Sequence, residues 1–169
     1  MKHTARIVGF ILGMFAVVAT VGAQQVVVTV AQDGEAGQFR GLVEGAVIGE
    51  LFDAGFIVWS DVPQGFIAAN GSADDRLPVQ MEYSAVRYAR EDGADYLVQV
   101  RMADAEHQLE RSVSFSVIDV QRPRVLLNHR LQPDDFHRAN GDLRRTASRL
   151  AAMIGDQAAD AIRQGQNQR

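Results

Sequence analysis

The spacing of apolar residues changes several times along the chain, and each change marks a new element. Residues 25–31 are a valine-rich run, which predicts a strand buried on both faces. Over residues 35–54 the apolar positions recur every three or four residues, which predicts a helix. Gly55 stands where a left-handed residue would end that helix, and residues 56–59 begin a second strand. These three elements form a unit of βαβ size.

The second half of the chain predicts a different arrangement. A helix is expected over residues 79–92, ended by a left-handed Gly93, and a strand over residues 95–103. Residues 112–120 and 124–131 alternate as two strands joined by a short turn, which predicts an antiparallel hairpin.

The hairpin pattern also predicts which side chains face the core. In the first hairpin strand Ser112, Ser114 and Ser116 share one face, which is expected to meet water or a partner. In the second, the side chains expected to point inward are those of Val125, Leu127 and Leu131.

An apolar stripe over residues 142–163 predicts the closing helix, with residues 165–169 frayed. The predicted fold is therefore α+β (α/β-like), with a mixed five-stranded sheet packed by three helices in the order β-α-β-α-β-β-β-α.

The N-terminus has the pattern of a secretory signal peptide. Lys2 and Arg6 precede an uncharged apolar stretch over residues 7–23, which ends in Val-Gly-Ala. This pattern predicts cleavage after Ala23, and a single domain over residues 24–169. A retained anchor helix is the alternative, although the apolar stretch is only about 25 Å long, against about 30 Å for a bilayer core. The protein is expected in the periplasm or otherwise exported, with membrane contact only through partners.

Composition excludes several classes of function. The chain contains no cysteine, so it has no disulfide framework, thiol nucleophile or lipid-modified cysteine. Without residues 1–23, 15 arginines face 21 acidic residues. A net acidic chain with dispersed arginines argues against binding to nucleic acid.

Candidate catalytic, cofactor and metal sites are weak. His129 and His137 lack the spacing of metal ligands, and Asp74–Asp75 near Asn70 does not match a calcium loop. The glycines of residues 34–37 lack the order of a phosphate-binding loop, and Asp134–Asp135 fits turn chemistry better than a catalytic pair. We therefore predict no enzyme, no metal and no cofactor.

The segment over residues 61–78 is long for a connector and rich in turn formers. It carries Phe66 and Ile67, two apolar residues in a polar context. They are the candidate partner-binding residues, because apolar groups within a polar rim mark interaction sites. The alternative is that both fold back onto the helix at residues 79–92.

Several segments resemble a group of periplasmic α/β domains: the N-terminal domain of TolB, the curli-assembly protein CsgG and the synthase activator LpoB. Residues 42–58 are similar to their helix-to-strand passage, and Gly-Ala-Asp-Tyr-Leu-Val-Gln-Val at 93–100 resembles their strand entry. Residues 117–127 resemble their hairpin, and residues 143–162 their closing helix. The resemblance implies this fold and a periplasmic location.

Three hypotheses of function remain. The first is a non-enzymatic envelope protein that acts through protein–protein interaction, with another envelope protein or with itself. The second is a binder of a small molecule or peptidoglycan fragment, at the mouth near Gly34 and the long segment over residues 61–78. The third is a hydrolase whose catalytic residues are dispersed along the chain.

Overall fold

A computed structural model of the protein describes residues 23–32, 38–60, 79–103, 112–136 and 142–168. These residues form five strands and four helices. The strands are β1 (Gln25–Gln32), β2 (Ile57–Trp59), β3 (Tyr96–Met102), β4 (Val113–Asp119) and β5 (Arg124–Leu131). The helices are α1 (Gln38–Asp53), α2 (Val79–Glu91), α3 (Pro133–Phe136) and α4 (Leu143–Gln166).

The strands form one mixed sheet in the order β2-β1-β3-β4-β5. Strand β1 pairs in parallel with β2 and β3, whereas β3–β4 and β4–β5 are antiparallel. The predicted fold class is confirmed. The short helix α3 is the one described element that the apolar pattern did not predict, because a single turn is too short to show a helical period.

The two faces of the sheet have cores of different size. The larger core lies between the sheet and helices α1 and α4, and it contains Phe39, Tyr96, Phe115 and Ile154. The smaller core lies under α2, where Ala85, Val86 and Ala89 pack on the opposite face of the sheet. Strand β1 serves both cores, as its valine run predicts: Val26 and Val28 belong to the first and Val27 to the second.

Both predicted glycine turns are confirmed. Gly55 has φ +95° and Gly93 has φ +84°, the left-handed region that only glycine occupies without strain. The amide of Phe56 donates to the carbonyl of Leu51, and that of Ala94 donates to the carbonyl of Ala89. These bonds satisfy the last helical carbonyls and turn the chain directly into β2 and β3.

The closing helix starts where the sequence predicts and ends later. The Asp142 carboxylate accepts hydrogen bonds from the amides of Arg144 (3.0 Å) and Arg145 (3.3 Å), as expected of an N-cap. The helix continues to Gln166 because Gly165 is buried against Leu126 of β5, which places the helical end three residues beyond the predicted Arg163.

Two details of the predicted hairpin are wrong. The register shifts between Val117 and Ile118, and the irregularity pairs Val125 with Ile118. Val125 therefore lies on the α2 side of the sheet, 47% exposed, rather than in the larger core. Ser116 is only 6% exposed, because β4 is an internal strand and Gln99 and Asn128 flank it on either side.

The predicted signal peptide lies outside the described residues, apart from Ala23 at its end. Within residues 23–32, 38–60, 79–103, 112–136 and 142–168, no helix is both long and apolar enough to cross a bilayer.

Candidate interaction surface

The partner-binding residues predicted from the sequence, Phe66 and Ile67, lie outside the residues that the structure describes. The same holds for His137, for Asp74–Asp75 and for the glycines of residues 34–37. Partner binding by the long segment therefore stays a prediction.

The described candidates for chemistry have structural roles. His129 is exposed on β5, where its ring contacts the ring of Phe115 edge-on at 5.9 Å. Asp135 accepts a hydrogen bond from the amide of Gln132 at 2.7 Å, within the single turn of α3 that also contains Asp134. Within the described part of the chain, no three His, Asp or Glu side chains stand close enough to hold a metal ion.

Helix α1 has an unusual outward side. Gly41, Gly45 and Gly49 follow one another at four-residue spacing and are all exposed, and a Cβ atom built on any of them would meet no atom within 4 Å. An exposed glycine inside a helix is less favourable than alanine by about 0.5–1 kcal/mol. Nothing in the described fold uses these three positions.

Two exposed apolar residues lie on either side of the turn that ends α1. Phe52, at four-residue spacing from Ile48 in the last turn of α1, is 66% exposed, and Ile57, at the start of β2, is 48% exposed. The turn through Gly55, whose amide donates to the carbonyl of Phe52, joins α1 to β2. Ile57 alternates with Val58 and therefore points to the α2 side of the sheet, as Trp59 does, whereas Phe52 lies on α1 on the other side. We call Gly41, Gly45, Gly49, Phe52 and Ile57 the α1–β2 surface.

Acidic side chains stand on both sides of the edge strand β2. On the α1 side, Ser60 donates a hydrogen bond to the Glu44 carboxylate. On the α2 side, the indole of Trp59 donates to the Asp92 carboxylate at 2.8 Å. Both bonds are exposed, so two carboxylates stand at this edge of the sheet. A basic residue also lies here, since the Arg163 guanidinium of α4 donates to the carbonyl of Ala54 at 3.2 Å.

A second feature lies on the α2 side of the sheet. Thr29, Gln99, Ser116 and Asn128 are register partners on four neighbouring strands and form a polar row across the sheet. The Gln99 Oε1 and Ser116 Oγ atoms are buried and have no hydrogen-bond partner in the described part of the chain. Such atoms carry a desolvation cost that a ligand or water would relieve.

Comparison with known proteins gives likeness in structure alone. The chain is similar to PelC from Paraburkholderia phytofirmans, solved as a dodecamer, at 16% identity over 82% of this chain and 88% of that chain (TM-score 0.48). It is similar to TolB from Acinetobacter baumannii at 18% identity over 84% of this chain and 28% of that chain (TM-score 0.43). It is similar to the C-terminal domain of LpoB from Salmonella enterica at 16% identity over 64% of this chain and 81% of that chain (TM-score 0.44).

TolB and LpoB belong to the group named from the sequence, whereas the resemblance to CsgG stays a prediction. No protein-family model matches the chain. No curated protein matches it either.

The sequence contains a signal for the α1–β2 surface that the predicted elements do not reveal. The four-residue spacing of Gly41, Gly45 and Gly49 is visible in the chain. That they face outward depends on which side of α1 contacts the sheet. In the sequence Leu42, Ala46, Ile48 and Phe52 widen the apolar face of α1 and predict deep burial. For Phe52 this prediction is wrong, because its side chain lies outside the contact with the sheet and is 66% exposed.

Proposed function

We propose that this is an exported, non-enzymatic protein that acts by associating with another envelope protein or with itself through the α1–β2 surface. The observation that carries the proposal is the exposure of Phe52 beside three outward glycines. Export is supported by the signal-peptide pattern of residues 1–23.

The energetics favour a buried surface over an exposed one. Burial of Phe52 or Ile57 at an interface contributes about 1.5–3 kcal/mol for each side chain. The glycines add no side chain between the helix and a partner, so another backbone can approach α1 closely. In the isolated chain the three glycines lower the stability of the helix, and Phe52 and Ile57 expose apolar area to water. Neither effect is compensated by a contact within the described fold.

The test replaces Phe52 by Ser and measures association by native mass spectrometry and by pull-down from a cross-linked cell envelope. We expect complex formation to weaken about tenfold or more, because an apolar side chain of this size is lost from the interface. The melting temperature should stay close to the original, since Phe52 is largely exposed.

Arg149→Ser, at an exposed position of α4, is the matched control and should leave association unchanged. Undiminished association of Phe52→Ser would contradict the proposal. N-terminal sequencing of the protein purified from cells tests export independently, and it should begin at or close to Gln24.

A second function is favoured by the polar row on the α2 side, namely binding of a small molecule or peptidoglycan fragment. The unpartnered Gln99 Oε1 and Ser116 Oγ atoms support it, because a bound hydroxyl or amide group would satisfy them. A small molecule that co-purifies with the exported protein, and is lost in Gln99→Leu, would favour this function.

A further inference from the structure

The edge of the sheet opposite β2 is an exposed strand that carries basic residues. Strand β5 is the last strand of the sheet, and most of its residues are exposed. A long exposed edge strand offers backbone groups to another chain. Val125 lies on this strand with 47% of its surface exposed, so apolar area is present here as it is at Phe52 and Ile57.

The charge of the β4–β5 hairpin is basic. Over residues 113–131 it carries Arg122, Arg124 and Arg130, all exposed, and a single acidic residue, Asp119. The Asp119 side chain is buried and accepts hydrogen bonds from the amides of Gln121 (3.1 Å) and Arg122 (3.0 Å). Its charge is therefore committed to the turn, and the outer edge presents arginines in a protein that is acidic overall.

The two edges of one molecule thus differ in sign and share exposed apolar side chains. The β2 edge has Glu44 and Asp92, which accept hydrogen bonds from Ser60 and Trp59 at the end of the strand that Ile57 begins. The β5 edge has Arg122 and Arg124, which precede Val125 in the chain. Among the large apolar side chains of the described residues, Phe52, Ile57 and Val125 are the exposed ones. All three lie at these two edges.

We infer that the partner of the α1–β2 surface is a second copy of this chain, which docks its β5 edge there in a head-to-tail contact. This inference rests on the proposed function and specifies its partner. The contact is heterologous, because it joins two different surfaces, so it repeats from one copy to the next and gives a closed ring or an open filament.

A two-fold contact between identical edges is disfavoured by charge. Two β5 edges would bring Arg122, Arg124 and Arg130 of each copy into one contact, with only Asp134 and Asp135 after each strand to oppose them. Two β2 edges would bring carboxylates against carboxylates. Like charges that face each other across an interface cost several kcal/mol. The head-to-tail arrangement pairs opposite charges at every contact and brings Val125 toward the apolar side chains of the neighbouring copy.

The experiment reverses the charge of each edge separately. One variant carries Arg122→Glu and Arg124→Glu, and the other carries Glu44→Arg and Asp92→Arg. Sedimentation velocity and native mass spectrometry measure assembly of the mature protein. Each variant alone should lose assembly, with the Kd raised about tenfold or more. An equimolar mixture of the two should assemble again, and so should a chain that carries all four changes.

Matched controls place the same charge changes on the outer side of α4. Arg144→Glu with Arg149→Glu, and Asp156→Arg, change exposed residues of α4 and should assemble like the original chain. Asp160 is left unchanged because it pairs with Arg163, which donates to the carbonyl of Ala54 in the turn between Phe52 and Ile57. Melting curves of every variant identify any that fails to fold. Assembly of the original chain should also weaken with added salt, because exposed charges are screened.

Three results would overturn the inference. They are a mixture of the two variants that stays monomeric, assembly that survives either reversal, and an original chain that is monomeric throughout the accessible concentration range. In the last case, a different protein captured through Phe52 in the envelope pull-down would leave the proposed function standing. If the original chain is monomeric and no protein is captured through Phe52, the proposed function is contradicted as well.

Discussion

Helices α1 and α4 lie side by side on the same face of the sheet, and each buries a continuous apolar stripe in the larger core. Their outward sides differ. That of α4 carries charged and polar residues such as Arg144, Ser148 and Asp156. That of α1 carries three glycines and Phe52, with exposed polar residues only at its two ends, Gln38 and Asp53.

The comparison distinguishes residues that stabilise the fold from exposed residues of α1 that do not. Helix α4 has an N-cap and a polar exterior, as a stable surface helix requires. Helix α1 has no such polar exterior over Gly41, Gly45, Gly49 and Phe52, while Phe39, Val43, Val47 and Leu51 are fully buried on its inward side. This local departure, which nothing in the described fold compensates, is the reason why we propose the outward side of α1 as an interaction surface.

The largest effect is expected where the two helices touch. Gly155 of α4 faces α1, and a Cβ atom at this position would lie 2.6 Å from the Cβ of Glu50. Gly155→Ala should therefore lower the free energy of unfolding by about 1–3 kcal/mol, because the helices must separate to admit it. Chemical denaturation measures the change. Gly49→Ala, with open space around it, is the control, and equal effects of the two would contradict the close approach.

A smaller effect is expected at the start of α4. Asp142→Ala removes the acceptor for the amides of Arg144 and Arg145, and it should cost about 1 kcal/mol of stability. Asp142→Asn keeps the cap and should retain most of the stability. Thermal unfolding of both variants compares them, and an unchanged melting temperature in Asp142→Ala would show that packing alone holds this end.

The smallest effect is expected on the outward side of α1, where a substitution should raise the free energy of unfolding rather than lower it. Gly45→Ala should raise the free energy of unfolding by about 0.5–1 kcal/mol, since alanine favours the helix and its Cβ has open space. It should also weaken association, because the Cβ holds the partner away from the helix.

Chemical denaturation of Gly45→Ala is measured in a chain that also carries Arg122→Glu and Arg124→Glu, because that chain is expected to stay monomeric. Native mass spectrometry of Gly45→Ala alone measures association. A loss of stability would mean that position 45 is packed against the protein.

Much of the fold follows from local pattern. The valine run of β1, the helical periods and the glycines at 55 and 93 predict elements whose observed ends agree to within a few residues. Side-chain burial at the hairpin was harder to predict. The register shift at Val117 and Ile118 moves Val125 to the other side of the sheet, and alternation along one strand cannot show a shift relative to its neighbour.

The sequence by itself determined the types of element, their order and the absence of thiol chemistry, because these depend on residues close together in the chain. It did not determine which side of α1 is exposed, since apolar and small residues occur all around that helix. Only the packing of α1 against β1, β2 and α4 turned Gly45 and Phe52 outward and brought Gly155 against Glu50. The strand order then placed acidic and basic groups at opposite edges of one sheet, a separation that depends on contacts between segments far apart in sequence.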